Sequence, residues 1–243
     1  MNSITAVIPS FNSIKWIKQC VESILAQEYD NLKILAADNE STDGTYEYLK
    51  TLKDSRLEVV SLPNIYPNGY MEALIYSFEN SDTDFITFVS SDDYVSSEYI
   101  ENISFLLDKN PSIKCLQSPM QSVNVEGSGH SFMIHSYQNI EDFKRKFLIG
   151  SPVNNPTVVY HKSLWPLMTN REAHDFNKLQ DVGAGDYDMW GKFTDNNVFI
   201  YPCQDFLGYF YRWHPEQASW KIRKYGINYD AIIQNYWRTK WKM

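Results

Sequence analysis

The 243 residues suffice for one large domain or two small ones. Hydrophobic residues make up 43% of the chain and charged residues 21%, which is typical of a folded globular protein and excludes wholesale disorder. The formal net charge of −8 argues against a general nucleic-acid binder, because neutralising phosphates requires a basic surface. Cys20, Cys115 and Cys203 show no CxxC spacing, which predicts reduced thiols in a cytosolic protein and no zinc site.

The sequence predicts a protein without membrane-spanning segments. Its first residues, MNSITAVIPSFN, lack the basic and long apolar regions of a signal peptide and lead directly into a strand. No stretch of ~20 apolar residues, the length that a membrane helix needs, occurs in the chain. We expect a cytoplasmic protein that is either free or peripheral on the inner face of the membrane.

Predicted strands and helices alternate over the first 110 residues. Apolar runs rich in β-formers predict strands at 4–8, 32–38, 57–62 and 84–90. Apolar residues at helical spacing predict a helix that begins near Ser13, which is placed to cap it, and further helices at 45–53 and 69–80. This alternation implies βαβ units and therefore an α/β fold, with a Rossmann-like, mostly parallel sheet and helices on both faces.

Polar loops follow three of these strands, and two of the loops are acidic. The loops read PSFN (9–12), DNESTDG (38–44) and SSDD (90–93). In a doubly wound sheet, ligands bind beyond the carboxyl ends of the strands, so we expect these loops to meet at one site. Adjacent carboxylates such as Asp92 and Asp93 repel each other unless a cation or hydrogen-bond donors lie between them. A metal or nucleotide site is therefore favoured over solvated turns, although Asp in a loop often serves only to shape the turn.

After residue 111, the predicted strands and helices no longer alternate regularly. Strands at 113–124 and 130–137 are expected to flank a hairpin-like turn at VEGSG. A short helix is predicted at 141–150, and 155–165 predicts a strand that leads into another helix. Because no Pro-, Gly- or Ser-rich linker interrupts the chain, we expect one domain at 1–219, with halves at 1–110 and 111–219, and a C-terminal helix at 220–243.

Five motifs occur in order between residues 7 and 219: VIPSFN, LAADNESTDGT, FVSSDD, GDYDMW and YRWHPEQAS. Together they resemble glycosyltransferase family 2, which has the GT-A fold. The resemblance implies inverting transfer of a sugar from a nucleotide-diphosphate donor to a hydroxyl of a glycan or lipid-linked acceptor. UDP is the nucleotide by family habit, with dTDP and GDP open. The resemblance also implies a divalent metal, Mn²⁺ or Mg²⁺, and a role in surface polysaccharide or glycoconjugate synthesis. The first half would bind the nucleotide, and the second would supply the acceptor side and the base.

The resemblance assigns donor-binding residues to the first half of the chain. It places Pro9 and Phe11 against the nucleobase, where an aromatic face can stack. It places Asp38 where a carboxylate accepts a hydrogen bond from a ring N–H of the base. Ser90 and Ser91 fall in the acidic donor-binding motif of the family, and Ser90 stands where the family usually has Asp, so it offers the ribose a hydroxyl but no charge. The alternative for Pro9 and Phe11 is a strand stop with a buried aromatic residue, and the alternative for Asp38 is a helix cap or a turn former.

The same motif and the late motif supply the implied metal site. Asp92 matches the metal-binding carboxylate, with phosphates and water as the remaining ligands. Asp93 is expected to orient the donor sugar or a water molecule. His214 suits a metal or a phosphate, although a lone His is more often an ordinary core or surface residue. Arg212 is expected to hold the late loop or a phosphate.

GDYDMW matches a helix start that carries the general base in the family. Asp186 takes this position, and a carboxylate can accept the proton of the acceptor hydroxyl when burial or a neighbouring charge raises its pKa. The alternative is a helix cap. The usual Glu before the base is Gly185 here. Asp188 is expected to face away from Asp186, because two residues span about 200° of a helix.

The end of the chain is basic and aromatic. Between residues 220 and 242, Asp230 is the single acid, against Lys221, Arg223, Lys224, Arg238, Lys240 and Lys242. Apolar and aromatic residues recur there at helical spacing, which is typical of an amphipathic helix at a membrane interface. The alternative is a helix that packs on the domain with its cations in water.

Two other functions remain open from the sequence. A sugar nucleotidyltransferase would usually have a Gly-rich, basic loop after the first strand, whereas PSFNSIKW contains no glycine. A non-catalytic sugar-nucleotide-binding protein is suggested by Ser90 and Gly185, which replace two acids of the family pattern. A phosphate-receiver domain also gathers Asp at strand ends, but it would be about half as long.

Overall fold

A computed structural model describes residues 1–64, 69–169, 185–217 and 228–243. The strands are β1 Ile4–Ser10, β2 Leu32–Asp38, β3 Leu57–Ser61, β4 Phe85–Phe88, β5 Tyr94–Val95, β6 Cys115–Gln117, β7 Met120–Val123, β8 Gly129–Met133, β9 Val159–His161, β10 Ile200–Pro202 and β11 Tyr209–Arg212. The helices are α1 Ile17–Leu25, α2 Thr45–Thr51, α3 Gly69–Asn80, α4 Tyr99–Lys109, α5 Ile140–Phe147, α6 Trp165–Thr169, α7 Gly185–Asp195 and α8 Tyr229–Trp241, with 3₁₀ turns at Asn155–Thr157 and Lys162–Leu164.

The larger sheet has the strand order β10-β6-β9-β4-β1-β2-β3. Among these described strands, only β9 runs antiparallel to its neighbours. Side chains alternate between the faces of a strand, so Ala6 and Ile8 of β1 join the core under α1 and α4, whereas Val7 joins the core under α3, α5 and α7. The predicted α/β fold, with a mostly parallel sheet covered on both faces, is confirmed.

A smaller sheet has the order β5-β11-β7-β8. β7 and β8 form the predicted antiparallel hairpin, and Gly127 in its turn has a φ of 86°, which favours glycine. The short strands β5 and β11 were not predicted. β11 pairs with β5 and with β7, so the late motif returns to the loop that follows β4.

The loop before α1 differs from the prediction. Ser13 was expected to cap α1, but the helix begins at Ile17 and no side chain caps it. The carbonyl of Ser13 accepts hydrogen bonds from the N–H groups of Trp16 and Ile17, both at 2.8 Å, and so forms a turn that precedes the helix. The prediction of a Ser13 cap is wrong because the chain makes this extra turn first.

The C-terminal helix α8 packs against α7. Trp237 is fully buried, and its Nε1 donates a hydrogen bond to Asp188 Oδ1 at 2.7 Å. Ile233 lies in the same core. Over its described residues, the C-terminal helix is therefore packed on the domain; residues 220–227 of the predicted helix lie outside the described residues. Every helix in the described ranges is too short or too polar to reach across a bilayer.

Gly191 of α7 is expected to be intolerant of a side chain. A Cβ at this position would lie 2.3 Å from Cε2 of Trp237, and that ring is held by Asp188. Gly191→Ala is therefore expected to lower the free energy of unfolding by about 1–3 kcal/mol through overpacking, although alanine favours helix. Denaturation in urea measures the change. Gly150→Ala is the control, because a Cβ there meets no atom within 4 Å; equal losses in both variants would contradict the packing argument.

Candidate active site

The loops after β1, β2 and β4 lie side by side at one edge of the larger sheet. The parallel register pairs Ser10 with Asp38 at the ends of β1 and β2, and β4 runs parallel on the other side of β1. Ser13 Oγ lies 2.7 Å from Ser91 Oγ and so joins the first loop to the third. The expected meeting of the three loops at the carboxyl ends of the strands is confirmed.

Asp38 is fully buried at this edge and is held by hydrogen bonds. Its Oδ1 accepts bonds from Ser10 Oγ at 3.1 Å and Ser41 Oγ at 2.6 Å, and its Oδ2 accepts one from Ser41 N at 2.8 Å. Oδ2 keeps the second lone pair that a contact with a base N–H needs. Pro9 lies within β1, and Phe11, which is 45% exposed, follows it. The roles of Pro9, Phe11 and Asp38 in binding a base stay predictions.

Asp92 and His214 form a pair at the same edge. His214 Nε2 lies 2.9 Å from Asp92 Oδ2, and the imidazole is buried. The two residues are 122 positions apart in the chain, and they meet because β11 returns beside β5. The structure therefore brings these two predicted residues together, while their metal-binding role stays a prediction.

Asp93 points into the protein. Tyr209 Oη donates a hydrogen bond to its Oδ2 and Arg212 N donates one to its Oδ1, each at 2.8 Å. Burial, and then the charge of Asp92, raise the pKa of Asp93 well above its usual range. Because both oxygens already accept hydrogen bonds, the geometry favours a positioning role for Asp93 over the predicted contact with the donor, which stays untested. Asp93 fixes β11 against the loop that carries Asp92.

Tyr209 is a part of the site that the sequence did not reveal. Its hydroxyl donates to Asp93 and also accepts a hydrogen bond from the N–H of Ser90 at 3.2 Å. Ser90 and Ser91 thus lie in a loop tied on one side to β11 and on the other to Ser13. Their predicted contacts with the ribose and donor stay predictions. No motif pointed to Tyr209, because it is one of several aromatic residues in an apolar strand.

Arg212 holds loops together and is almost fully buried. Its Nε donates to the carbonyl of Asp92 at 2.9 Å, and its terminal nitrogens donate to the carbonyl of Val125 and to Gln19 Oε1. The guanidinium also lies 4.7 Å from the ring centroid of Trp16, which suits a cation–π contact. Of the two roles expected for Arg212, these contacts favour holding the loop, and a phosphate contact stays untested.

Asp186 lies in the first turn of α7, at the same edge of the sheet as Asp92. α7 leads into β10, which runs parallel to β6. Because β6 and β4 are both antiparallel to β9, β10 runs in the same direction as β4 and begins at the edge opposite to Asp92. The helix that precedes such a strand runs antiparallel to it, which places the start of α7 at the carboxyl edge. Among the described contacts, none joins Asp186 to Asp92 or His214. Residues 218 and 219 of the late motif lie outside the described residues.

The surroundings of Asp186 suit a base. Its side chain is half-buried, and burial, supported by the charge of Asp230, raises the pKa of its carboxyl. A raised pKa makes a carboxylate a stronger proton acceptor. Asp188 is buried against Trp237 of α8, in agreement with the prediction that it faces away from Asp186.

The Asp92–His214 pair fits a divalent ion whose other ligands come from the donor. Within the described ranges, no group of three or more His, Cys, Asp or Glu side chains is suited to a metal. The 2.9 Å between Nε2 and Oδ2 is close to the roughly 3 Å between adjacent ligands of an octahedral ion with bonds of about 2.1 Å. His214 Nδ1 is buried without a hydrogen-bond partner in the described structure, so the ring lacks the contact that usually orients a metal-bound histidine. We therefore expect metal affinity to depend on the donor.

Removing the hydroxyl of Tyr209 is expected to lower the free energy of unfolding. Tyr209→Phe leaves Asp93 Oδ2 and the N–H of Ser90 without a described partner inside the protein, while Asp93 Oδ1 keeps the bond from Arg212 N. Each unpaired buried group costs about 1–3 kcal/mol, so the free energy of unfolding should fall by at least the lower figure. Urea denaturation measures the loss. Tyr201→Phe on β10 is the control, with an expected change within about 0.5 kcal/mol; equal stability of both variants would contradict the role of Tyr209.

Comparison with known proteins decides the family. Residues 5–164, more than half of the chain, match the family model described as glycosyl transferase family 2. The chain belongs to glycosyltransferase family 2. The resemblance drawn from the five motifs is confirmed, and it favours the prediction of an enzyme that transfers glycosyl groups.

Two relatives of the family 2 chain cover most of its length. Chondroitin synthase of Pasteurella multocida is 26% identical over 200 residues, which are 81% of this chain and 19% of the synthase. The Escherichia coli UDP-Glc:α-D-GlcNAc-diphosphoundecaprenol β-1,3-glucosyltransferase WfgD is 25% identical over 209 residues, which are 82% of this chain and 73% of WfgD.

Solved structures show that the family 2 chain has the GT-A fold. S. aureus TarS residues 1–349 in complex with UDP gives a TM-score of 0.67 at 20% identity, and the match covers 90% of this chain and 63% of that one. The mannosyltransferase PcManGT from Pyrobaculum calidifontis, in complex with GDP-Man and Mn²⁺, gives 0.60 at 16% identity over 92% of this chain and 61% of that one. The chain thus spans less than two thirds of either structure. Membership of glycosyltransferase family 2 favours glycosyl transfer over the nucleotidyltransferase and non-catalytic alternatives.

Proposed function

We propose that this family 2 chain is a metal-dependent, inverting glycosyltransferase that moves a sugar from a UDP-sugar to a hydroxyl of a lipid-linked glycan. Its product would enter a surface polysaccharide or glycoconjugate. The observation that carries the proposal is the pairing of Asp92 with His214 at the edge of the sheet where Asp38 also lies. A carboxylate and an imidazole at a nucleotide-binding edge suit a diphosphate and its cation.

The donor would lie across the ends of β1, β2 and β4. Phe11 is exposed enough to stack on a base, and Asp38 has a free lone pair for a ring N–H. TarS has been solved with UDP and with UDP-GlcNAc, and PcManGT with GDP-Man, which supports a nucleotide-sugar donor. Uracil, thymine and guanine all carry a ring N–H, so a carboxylate alone does not select among them.

In the proposed reaction, Asp186 accepts the proton of the acceptor hydroxyl while that oxygen attacks the anomeric carbon of the donor. The bond between this carbon and the diphosphate oxygen breaks in the same displacement, and UDP leaves. A single displacement from the opposite face inverts the anomeric centre. A divalent ion bound by Asp92 and His214 would neutralise the charge that develops on the departing diphosphate.

The proposed acceptor follows from the relatives. WfgD and the similar Escherichia coli enzyme WfaP are both described as acting on α-D-GlcNAc-diphosphoundecaprenol, a sugar carried by a lipid diphosphate. WfaP is 32% identical over 102 residues, which are 42% of this chain. These matches support a lipid-linked acceptor in preference to a free oligosaccharide.

A panel of nucleotide sugars tests the proposal. UDP-, dTDP- and GDP-sugars are each added with and without Mn²⁺, and the unfolding temperature is measured, because a ligand that binds only the folded state raises it. A UDP-sugar with Mn²⁺ is expected to give the largest rise. That donor is then incubated with GlcNAc-diphosphoundecaprenol, and NMR of the product gives the anomeric configuration. The proposal is contradicted if no nucleotide sugar raises the unfolding temperature, or if the product keeps the anomeric configuration of the donor.

The pH dependence of transfer tests the role of Asp186 as a base. The exposed Asp230 helps to raise the pKa of Asp186, so Asp230→Asn is expected to lower that pKa. A base works only when deprotonated, so kcat/KM rises with pH through its pKa, and the acid limb of the profile should move to lower pH in the variant. At acid pH the variant should therefore be faster than wild type, with equal rates at higher pH. Asp205→Asn, at an exposed position elsewhere, should leave the limb in place; an unmoved limb in Asp230→Asn would contradict the assignment.

A further inference from the structure

The last turn of α5 and the last turn of α8 lie side by side at the surface. The ring of Phe147 lies 5.3 Å from that of Trp241, and a terminal nitrogen of Arg238 donates to the carbonyl of Leu148 at 3.3 Å. Lys144 Nζ lies 5.5 Å from the centroid of Trp241. Two helices that are about 90 positions apart in the chain therefore build one continuous patch.

This patch is basic although the whole chain has a net charge of −8. Its exposed cations are Arg145, Lys146, Arg238 and Lys242. Within the described structure, none of these four forms an ion pair with an acid: Glu141 pairs with Lys144, and Asp195 pairs with Lys240. Asp142, at the start of α5, and the exposed Asp230, whose charge acts on Tyr187 together with that of Arg238, are two further acids in this region, and Lys146 donates to the carbonyl of Ser136. Free positive charge is therefore concentrated at this end of the two helices.

Ile149 follows the end of α5, and its N–H donates to the carbonyl of Lys146 at 3.0 Å. It is 85% exposed and directly follows Leu148, whose carbonyl binds Arg238. The preference of helix C-termini for cations explains the basic residues of each helix but not an exposed isoleucine between them. Cations next to an exposed apolar side chain are the pattern of a surface that rests on anionic lipid headgroups, with the apolar group inserted below them.

We propose that the α5–α8 surface, defined by Arg145, Lys146, Ile149, Arg238 and Lys242, binds the anionic face of a lipid bilayer. The positive charge of the surface complements the phosphates of the lipid, and Ile149 enters the headgroup region. The binding itself requires no donor and no turnover.

The position of the surface relates it to the reaction, and this step rests on the proposed function. The ring of Phe147, at the end of α5, lies 4.4 Å from that of Tyr187, which follows Asp186 in α7. The hydroxyl of Tyr187 also donates to the carbonyl of Phe147. A bilayer against the α5–α8 surface would therefore lie next to the helix that carries the proposed base, where a lipid-linked acceptor has to arrive.

Co-sedimentation with vesicles tests the surface. Wild type is expected to bind vesicles of equal parts phosphatidylcholine and phosphatidylglycerol, to bind less as salt rises, and not to bind phosphatidylcholine alone. Each cation near an anionic bilayer contributes roughly five-fold to partitioning, so Arg145→Gln with Arg238→Gln should weaken binding by about 25-fold. Ile149→Ser should weaken it as well.

Matched controls come from other faces of the protein. Lys18→Gln with Lys50→Gln removes two exposed cations of α1 and α2, and Phe105→Ser removes a side chain of α4 that is 58% exposed. Both controls should bind like wild type, and all variants should unfold at the same temperature. Failure of wild type to bind the anionic vesicles, or equal losses in the surface and control variants, would overturn the inference. Donor stabilisation is measured without lipid, so failure of the proposed function would be distinguished from failure of membrane binding.

Discussion

Asp186→Asn is expected to slow sugar transfer by about 10²–10⁴-fold, the usual contribution of a general base. The amide keeps the shape of the carboxylate but cannot accept the proton of the acceptor hydroxyl. Donor binding should persist, because Asp186 has no described contact with the loops that follow β1, β2 and β4. The measurement is the rate of UDP release with acceptor present, together with the rise in unfolding temperature that the UDP-sugar causes.

Asp195→Asn is the matched control for this variant, because it changes an exposed acid at the other end of the same helix. It is expected to retain the wild-type rate. Full activity in Asp186→Asn would remove Asp186 from the role of base, whereas loss of both donor binding and activity would assign it a part in folding or in the donor site instead.

Asp92→Asn is expected to abolish the effect of Mn²⁺ on donor binding and to slow transfer by about 10²-fold or more, since a metal ion supplies several kcal/mol of charge stabilisation. The variant leaves His214 as the single predicted protein ligand of the ion. The loop should keep its position, because Arg212 binds the backbone carbonyl of Asp92 and not its side chain. Unfolding temperatures with UDP-sugar, with and without Mn²⁺, measure the loss.

Chelation with EDTA provides an independent test of the same site. Wild type treated with EDTA should behave like Asp92→Asn, and addition of Mn²⁺ should restore wild type only. Asp205→Asn serves as the control for loss of an exposed acid and should keep the response to Mn²⁺. Transfer that is unaffected both by EDTA and by Asp92→Asn would reject a metal at this position.

Much of the first half of the fold could be predicted from local patterns. β2 and α3 begin and end where the sequence predicted, because apolar runs and helical spacing are properties of neighbouring residues. The antiparallel β9 could not be predicted this way, since its direction depends on pairing with β4 across about 70 residues. The same holds for β5 and β11, of which β5 has two residues and β11 four, too few to give a pattern.

The candidate site was predictable in its residues but not in the direction of each side chain. Asp92 and Asp93 are adjacent in sequence, yet one faces His214 and the other is buried against Tyr209. Arg212 was predicted to hold a loop, but its partner Gln19 lies 193 positions away and carries no motif. Motifs therefore located the loops, whereas the partners came from long-range contacts that a single sequence does not contain.

The most direct test of the account is a crystal structure of the protein with UDP and Mn²⁺, in which anomalous scattering locates the metal. We predict one manganese peak within about 2.0–2.3 Å of both Asp92 Oδ2 and His214 Nε2, with the uracil ring against Phe11 and Asp38. A manganese peak away from Asp92, or UDP bound at a different edge of the sheet, would contradict the account.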